Sequence, residues 1–350
     1  MRDHSKFDQK FATLRELKFL HSSAIFLHLA SGALGAWTLF SFDPRVPVTA
    51  PLIEFVDNSA TYFRYEPRVW FTTSVLWPLV SVEFITATSH IVYLLALIFP
   101  AVDKGIRKYV VNTPSLNPLR WVEYGITATI MTSFGSVNLG ITDAYFFVKQ
   151  VGDGVALQVC GVIIEMLDGE NDAVFKLVWW MIGTLINFSG LICFLYQTFA
   201  SSTHSALWLF IENSVPFALW FQTFGLVARA QYFSSSKQFP LFRDRFLVER
   251  WYIVLSVSTK IAVFWLGFGT FRKILEDNGV VARTGVAWNA VRYSAMVLPA
   301  IVPIGYLLRD RIQARNLRLE EPESISSENK TAFGAHVEYR KRNRAPRFLL

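Results

Sequence analysis

In the stretch "VLSVSTKIAVFW", residues 254–265, Lys260 is the only charged side chain among the 21 residues between Arg250 and Arg272. A desolvated primary amine gives up its proton readily and condenses with an aldehyde. The imine that results, once protonated, is a buried cation and needs a carboxylate nearby to hold its proton. Glu123, in "NPLRWVEYGITATIM" at 117–131, is a carboxylate of that kind, and His28 and His90 are two imidazoles in comparable apolar surroundings.

The elements that must position these groups follow from composition. Of 350 residues, 52% are hydrophobic and 17% charged, against roughly a quarter charged in a soluble domain. Apolar runs near 20–42, 72–99, 118–139, 144–166, 174–199, 205–231 and 250–271 are long enough to cross a hydrocarbon core about 30 Å thick. Helices are required, because an open sheet edge does not survive in lipid and the runs are too long for barrel strands. An eighth candidate, near 285–308, holds Arg292, Pro299 and Pro303. The expected fold class is all-α and integral to the membrane, a bundle of seven transmembrane helices with a candidate eighth. Cys160 and Cys193 lie inside apolar runs, so no disulfide framework is implied. The first 19 residues lack a small-residue cleavage site and read as a retained terminus.

Lys and Arg counts orient the bundle. The N-terminus carries five, the connection between the second and third spans four, and that between the sixth and seventh five. The opposite side carries three between the first two spans and none near 140–143 or 200–204. The N-terminus is therefore expected in the cytoplasm, and the net charge of +7 reads as topology rather than nucleic-acid binding. Ten further Lys or Arg in 309–350 favour the same side for the C-terminus, which argues for the eighth span; an amphipathic helix on the outer surface is the alternative. The domains expected are a segment at 1–19, a seven-helix domain at 20–272, an extension at 273–308 and a basic tail at 309–350, disordered over 318–345. The connection 43–70 is long enough for a small strand pair over the outer face.

Charged groups at mid-membrane cost roughly 2.5–3.5 kcal/mol on insertion scales, so they usually have partners and a task. Lys260 lies ten residues past Arg250, His28 ten past Lys18 and His90 ten before Pro100, each about 15 Å deep at 1.5 Å per residue. Glu123, five past Pro118, lies about 8 Å deep before its side chain extends. One polar cluster in the cytoplasmic half is expected. One lysine and one carboxylate in an aromatic-rich bundle are what a protonated retinal Schiff base requires. A structural ion pair and a transporter site remain the other readings of the same residues.

Four stretches together resemble heliorhodopsins: "FLHLASGAL" in the first span, "FITATSHIVYLLA" in the second, "NPLRWVEYGITATIM" in the third and "WYIVLSVSTKIAVFW" in the seventh. That family consists of seven-helix retinal proteins with a cytoplasmic N-terminus, inverted relative to other microbial rhodopsins. The resemblance covers about 20–272. It implies all-trans-retinal covalently bound to Lys260, with Glu123 as counterion. Ser256, one turn before Lys260, would hydrogen-bond Glu123. Thr86 would be a further hydroxyl near the Schiff base, and His28 and His90 a polar cavity that receives or shares its proton, with plain interhelical hydrogen bonding as the other reading of the two histidines. Arg120 shares the helix face of Glu123 and joins this network, or else anchors the cytoplasmic side. Trp121, Tyr124 and Thr127 on the third span, with Pro216, Trp220 and Phe221 on the sixth, are candidates for the retinal pocket.

Proton pumps usually carry an aspartate where Ser256 stands and a carboxylate where Phe134 stands, so pumping by the usual route is disfavoured and a photosensory role is expected. The protein is not read as an enzyme, and no metal is called for. Glu212 and Asp153 keep a light-gated or light-driven proton or ion transporter as the alternative, with Lys149 as an i, i+4 partner of Asp153. A receptor or carrier without retinal is the third class. The partners implied are retinal, membrane lipid, a second copy of the chain in a homodimer and a cytoplasmic signalling protein.

Overall fold

The computed structural model describes residues 13–40, 45–55, 63–74, 76–99, 117–138, 142–167, 173–201, 223–231, 245–277, 279 and 287–319. Helix α1 (Leu14–Phe40) begins earlier than the expected residue 20. The reason is local: the Thr13 hydroxyl accepts from the Glu16 backbone N–H at 3.1 Å, capping the helix at a Thr-x-x-Glu sequence. Strands β1 (Arg45–Phe55) and β2 (Phe63–Ser74) pair antiparallel, with one irregularity between Val48 and Thr49. The expected strand pair is thus present and longer than its connection suggested. It takes residues 72–74 from the second span, so α2 (Trp77–Ile98) starts later, with a proline in its first turn where no backbone N–H is needed.

Helix α3 (Pro118–Asn138) also opens on proline, and the preceding Asn117 accepts from the Arg120 N–H at 3.3 Å. Helix α4 (Ala144–Met166) is capped by Asp143, which accepts from the Phe146 N–H at 2.7 Å. Then come α5 (Ala173–Ser201), α6 at residues 223–231, α7 (Arg245–Asp277) and α8 (Trp288–Leu319). Of the expected sixth span, 205–231, residues 205–222 lie outside the described residues.

Among the described residues, α1, α2, α4, α5 and α7 are long and apolar enough to cross a membrane. Helix α3, with Arg120 and Glu123 inside it, falls short of that measure, as does α8. Helix α8 is unbroken through Pro299 and Pro303 and runs beyond 308 to Leu319, so 309–319 is helix where a tail was expected. Residues 320–350 lie outside the described residues. The chain divides into two compact units, Met1–Pro303 and Ile304–Leu350. The described part of the second is the last stretch of α8.

Within the first unit, neighbouring helices pack in sequence order from α1 to α5, and α7 closes on α1, α2 and α3. A core of Leu79, Val80, Met131, Phe264, Phe268 and Trp288 fills one end of the bundle. A Cβ added to Gly35 would collide with the Phe264 ring, so α1 and α7 approach closely there. At this end the hairpin is joined to the α3–α4 turn: the Thr49 N–H donates to the Thr142 carbonyl at 2.8 Å, and buried Val48 packs with Val137 and Ala144. The other end gathers the starts of α1, α3 and α7 with the ends of α2 and α4.

Candidate functional site

Lys260 and Glu123 form a buried ion pair, 3% and 6% exposed, between α7 and α3. The same carboxylate oxygen, Oε1, accepts from the hydroxyls of Thr86 on α2 at 3.0 Å and Thr127, one turn further along α3, at 3.2 Å. The Lys260 ammonium also reaches the Thr86 oxygen at 3.2 Å and stands 4.8 Å from the centre of the Tyr124 ring. The expected neighbours Lys260, Glu123, Thr86, Thr127 and Tyr124 therefore meet around one carboxylate.

Ser256 departs from expectation. It is buried on α7, but its hydroxyl has no hydrogen-bond partner among the described residues. Lys260, Thr86 and Thr127 already supply Glu123, and Ser256 is not among its donors.

Arg120 departs as well. Although it shares a face with Glu123, its guanidinium turns toward the end of the bundle and pairs with Glu165 of α4 and, at 3.0 Å, with Glu249 of α7. It also lies 3.9 Å over the Tyr252 ring. Its long stem reaches carboxylates nearer that end, leaving Glu123 to Lys260. Glu165 further accepts from the Trp121 indole at 2.6 Å and the Asn117 N–H at 3.0 Å. At the start of α7, Glu249 is bonded to Arg120, and Arg250 is buried with Glu16 at 3.6 Å.

His28 and His90 belong to a second polar layer, between α1 and α2, and neither is bonded directly to Lys260 or Glu123. His28 Nδ1 lies 2.6 Å from Glu83 Oε2, and His90 Nδ1 lies 2.9 Å from His21 Nδ1. His21 stacks on Tyr93, whose hydroxyl donates to Asn117 at 2.9 Å. Glu83 and His21 escaped the sequence reading, although each stands seven residues from a histidine that was singled out, on the same helix face.

A cavity of about 340 Å³, within the usual size of small-molecule sites, is lined by Lys260, Trp121, Tyr124 and Thr127. Trp180 and Phe188 of α5 contribute another wall that sequence reasoning had not assigned. Phe224 of α6 also lines it, with its ring edge-on to Tyr124 at 5.4 Å. Pro216, Trp220, Phe221 and Glu212 lie outside the described residues. Asp153 is away from this cavity and pairs with Lys149, four residues before it.

A lysine side chain thus opens on an aromatic-walled cavity, with a carboxylate against it. The family model "Heliorhodopsin" matches residues 17–271. The chain belongs to the heliorhodopsin family. Among solved structures, the light-driven proton pump Coccomyxa subellipsoidea rhodopsin is similar at a TM-score of 0.50 and 12% identity, covering 73% of this chain and 96% of that one. At that identity the likeness speaks for a helical microbial rhodopsin-like fold alone. A search of curated proteins finds no match. As a heliorhodopsin the chain is an integral, multi-pass membrane protein that binds retinal through a Schiff base to a lysine and responds to light. The residues present fit that group: an apolar, aromatic-lined slot has an amine within it, and the carboxylate beside that amine is already held by two hydroxyls.

Proposed function

We propose that this heliorhodopsin is a photoreceptor in which all-trans-retinal is attached to Lys260 and light drives a sensory or regulatory change of shape. The observation that carries the reading is the buried Lys260–Glu123 pair on the wall of the aromatic cavity. Retinal, once bound, supplies a light-driven isomerisation. Glu123 Oε1 holds the proton and charge at the Lys260 nitrogen, and Thr86 and Thr127 hold that oxygen in place. Tyr124, Trp121 and Phe224 shape the slot and keep water from it.

Two further features support sensing over pumping. Position 256 carries a hydroxyl and position 134 a phenyl ring, so the usual second carboxylate and internal proton donor of a pump are missing from those places. Asp153, one of the two residues that raised transport, is matched to Lys149. The N-terminus lies in the cytoplasm on the charge count. The protein acts as a homodimer with a cytoplasmic signalling partner, and 20–272 is its retinal-binding domain.

Expression with added all-trans-retinal tests the proposal. A visible band bleached by hydroxylamine is expected, and failure to form one sinks the retinal assignment. In Glu123→Gln the visible band at neutral pH should give way to a near-ultraviolet one, because a buried cation loses its compensating charge; acidification should bring it back. A wild-type spectrum in that variant would remove Glu123 as counterion. Voltage-clamped cells expressing the pigment should give no sustained photocurrent across voltages and pH, and a steady current would favour the transport alternative instead.

A further inference from the structure

Helices α1 and α2 run antiparallel, and each presents two polar groups seven residues apart on the shared face. His28 meets Glu83, and His21 meets His90. The first of these rungs lies deep in the bundle. Both side chains are 0% exposed, and Gly32, one turn beyond His28, lets α2 approach: a Cβ there would stand 3.1 Å from Glu83 Cβ. The pair uses only half its capacity. Among the described residues, His28 Nε2 and Glu83 Oε1 are both buried without a hydrogen-bond partner.

This rung adjoins the Lys260 site. Thr86, which accepts from Lys260 at 3.2 Å, is one turn from Glu83 on α2. The other titratable groups about the rung are His90, whose ring stacks on that of His28 at 5.9 Å, and His21 behind it.

An ionised carboxylate against one imidazole nitrogen requires that nitrogen to carry the proton. The other nitrogen then has a free lone pair. The opposite arrangement would bury an N–H donor at Nε2 without an acceptor, and orphaned buried donors are rarer than under-used acceptors. A carboxylate that fixes the tautomer and steadies the imidazolium is also how hydrolytic triads prepare their base.

We propose that Glu83 is a positioning residue that holds His28 in the Nδ1–H form, leaving Nε2 as the acceptor for the proton that leaves the Lys260 nitrogen in the light. The inference rests on the retinal reading above for its source of the proton. In the step, the Lys260 nitrogen keeps its electron pair, His28 Nε2 takes the proton, and Glu83 Oε2 faces the resulting imidazolium. Nothing is oxidised or reduced.

Two measurements test it. In the retinal-free, full-length protein with ¹⁵N-labelled histidine, His28 should resonate as the Nδ1–H tautomer, and Glu83→Gln should abolish that preference. A wild-type His28 protonated at Nε2 overturns the proposal, whether or not retinal binds. In the pigment, Glu83→Gln should keep the dark visible band but form the transient near-ultraviolet species about a hundredfold more slowly, the low end of what a positioned base contributes. Glu83→Asp should restore most of the rate. Unchanged kinetics in Glu83→Gln overturn the proposal. A wild type that forms no visible band would instead count against the retinal reading, with the tautomer measurement still deciding the role of Glu83.

Discussion

Lys260→Ala is expected to abolish the visible band completely. Lys260 is the only charged residue from 251 to 271 and the amine on the wall of the aromatic cavity. Without its nitrogen no imine can form there, and retinal could enter only as a free aldehyde absorbing at shorter wavelength. The substitution also leaves Glu123 buried beside two hydroxyls with no cation, and breaking a buried pair in this way costs about 3–5 kcal/mol. Loss of colour could therefore reflect loss of fold. Retinal pre-condensed with a short alkylamine separates the two cases, since it brings its own nitrogen into the space vacated by the lysine side chain. Recovery of a visible band with that adduct means that the cavity and Glu123 have survived. A band with free retinal in Lys260→Ala would place the attachment elsewhere.

The second large effect is expected at Arg120, 4% exposed between Glu165 and Glu249. Arg120→Ala leaves two carboxylates facing each other with no cation between them, and about 3–5 kcal/mol of stability should go with it. Glu165 is fully buried and holds the Trp121 indole, so disorder should spread from this cluster to a wall of the aromatic cavity. A thermal midpoint in detergent clearly below that of the wild type, with a shifted visible band, is the outcome to look for. Replacing Arg120, Glu165 and Glu249 together by neutral residues of similar size should recover much of the loss, because no unpaired charge then remains. An unchanged midpoint in Arg120→Ala would mean that water reaches the cluster.

Five of the spans and the Lys260–Glu123 pair were legible in the sequence for one reason: charge inside an apolar run is expensive, so both the run and the charge stand out. Depth does not give rotation about the helix axis or the reach of a side chain. Arg120 and Glu123 are three residues apart on one face, yet the arginine stem carries its charge toward the bundle end, to Glu165 and Glu249. Glu249 lies near a span end, where solvation is the default, and only the meeting of α3, α4 and α7 makes it a partner. Glu83 was missed within a span because its importance depends on register with His28 across 55 residues of chain. Element ends were displaced by local hydrogen bonds, as at Thr13 and Ser74, which average hydropathy does not see.

The hairpin has a mechanical consequence. It links the end of α1 to the start of α2, and its Thr49 is fastened to Thr142 just before α4. Three helix ends are thereby clamped together at one side of the bundle. The opposite ends of α3, α4 and α7 are fastened in their turn by the buried Arg120–Glu165–Glu249 cluster, so the stretch in which Lys260 meets Glu123 is strung between two fixed points.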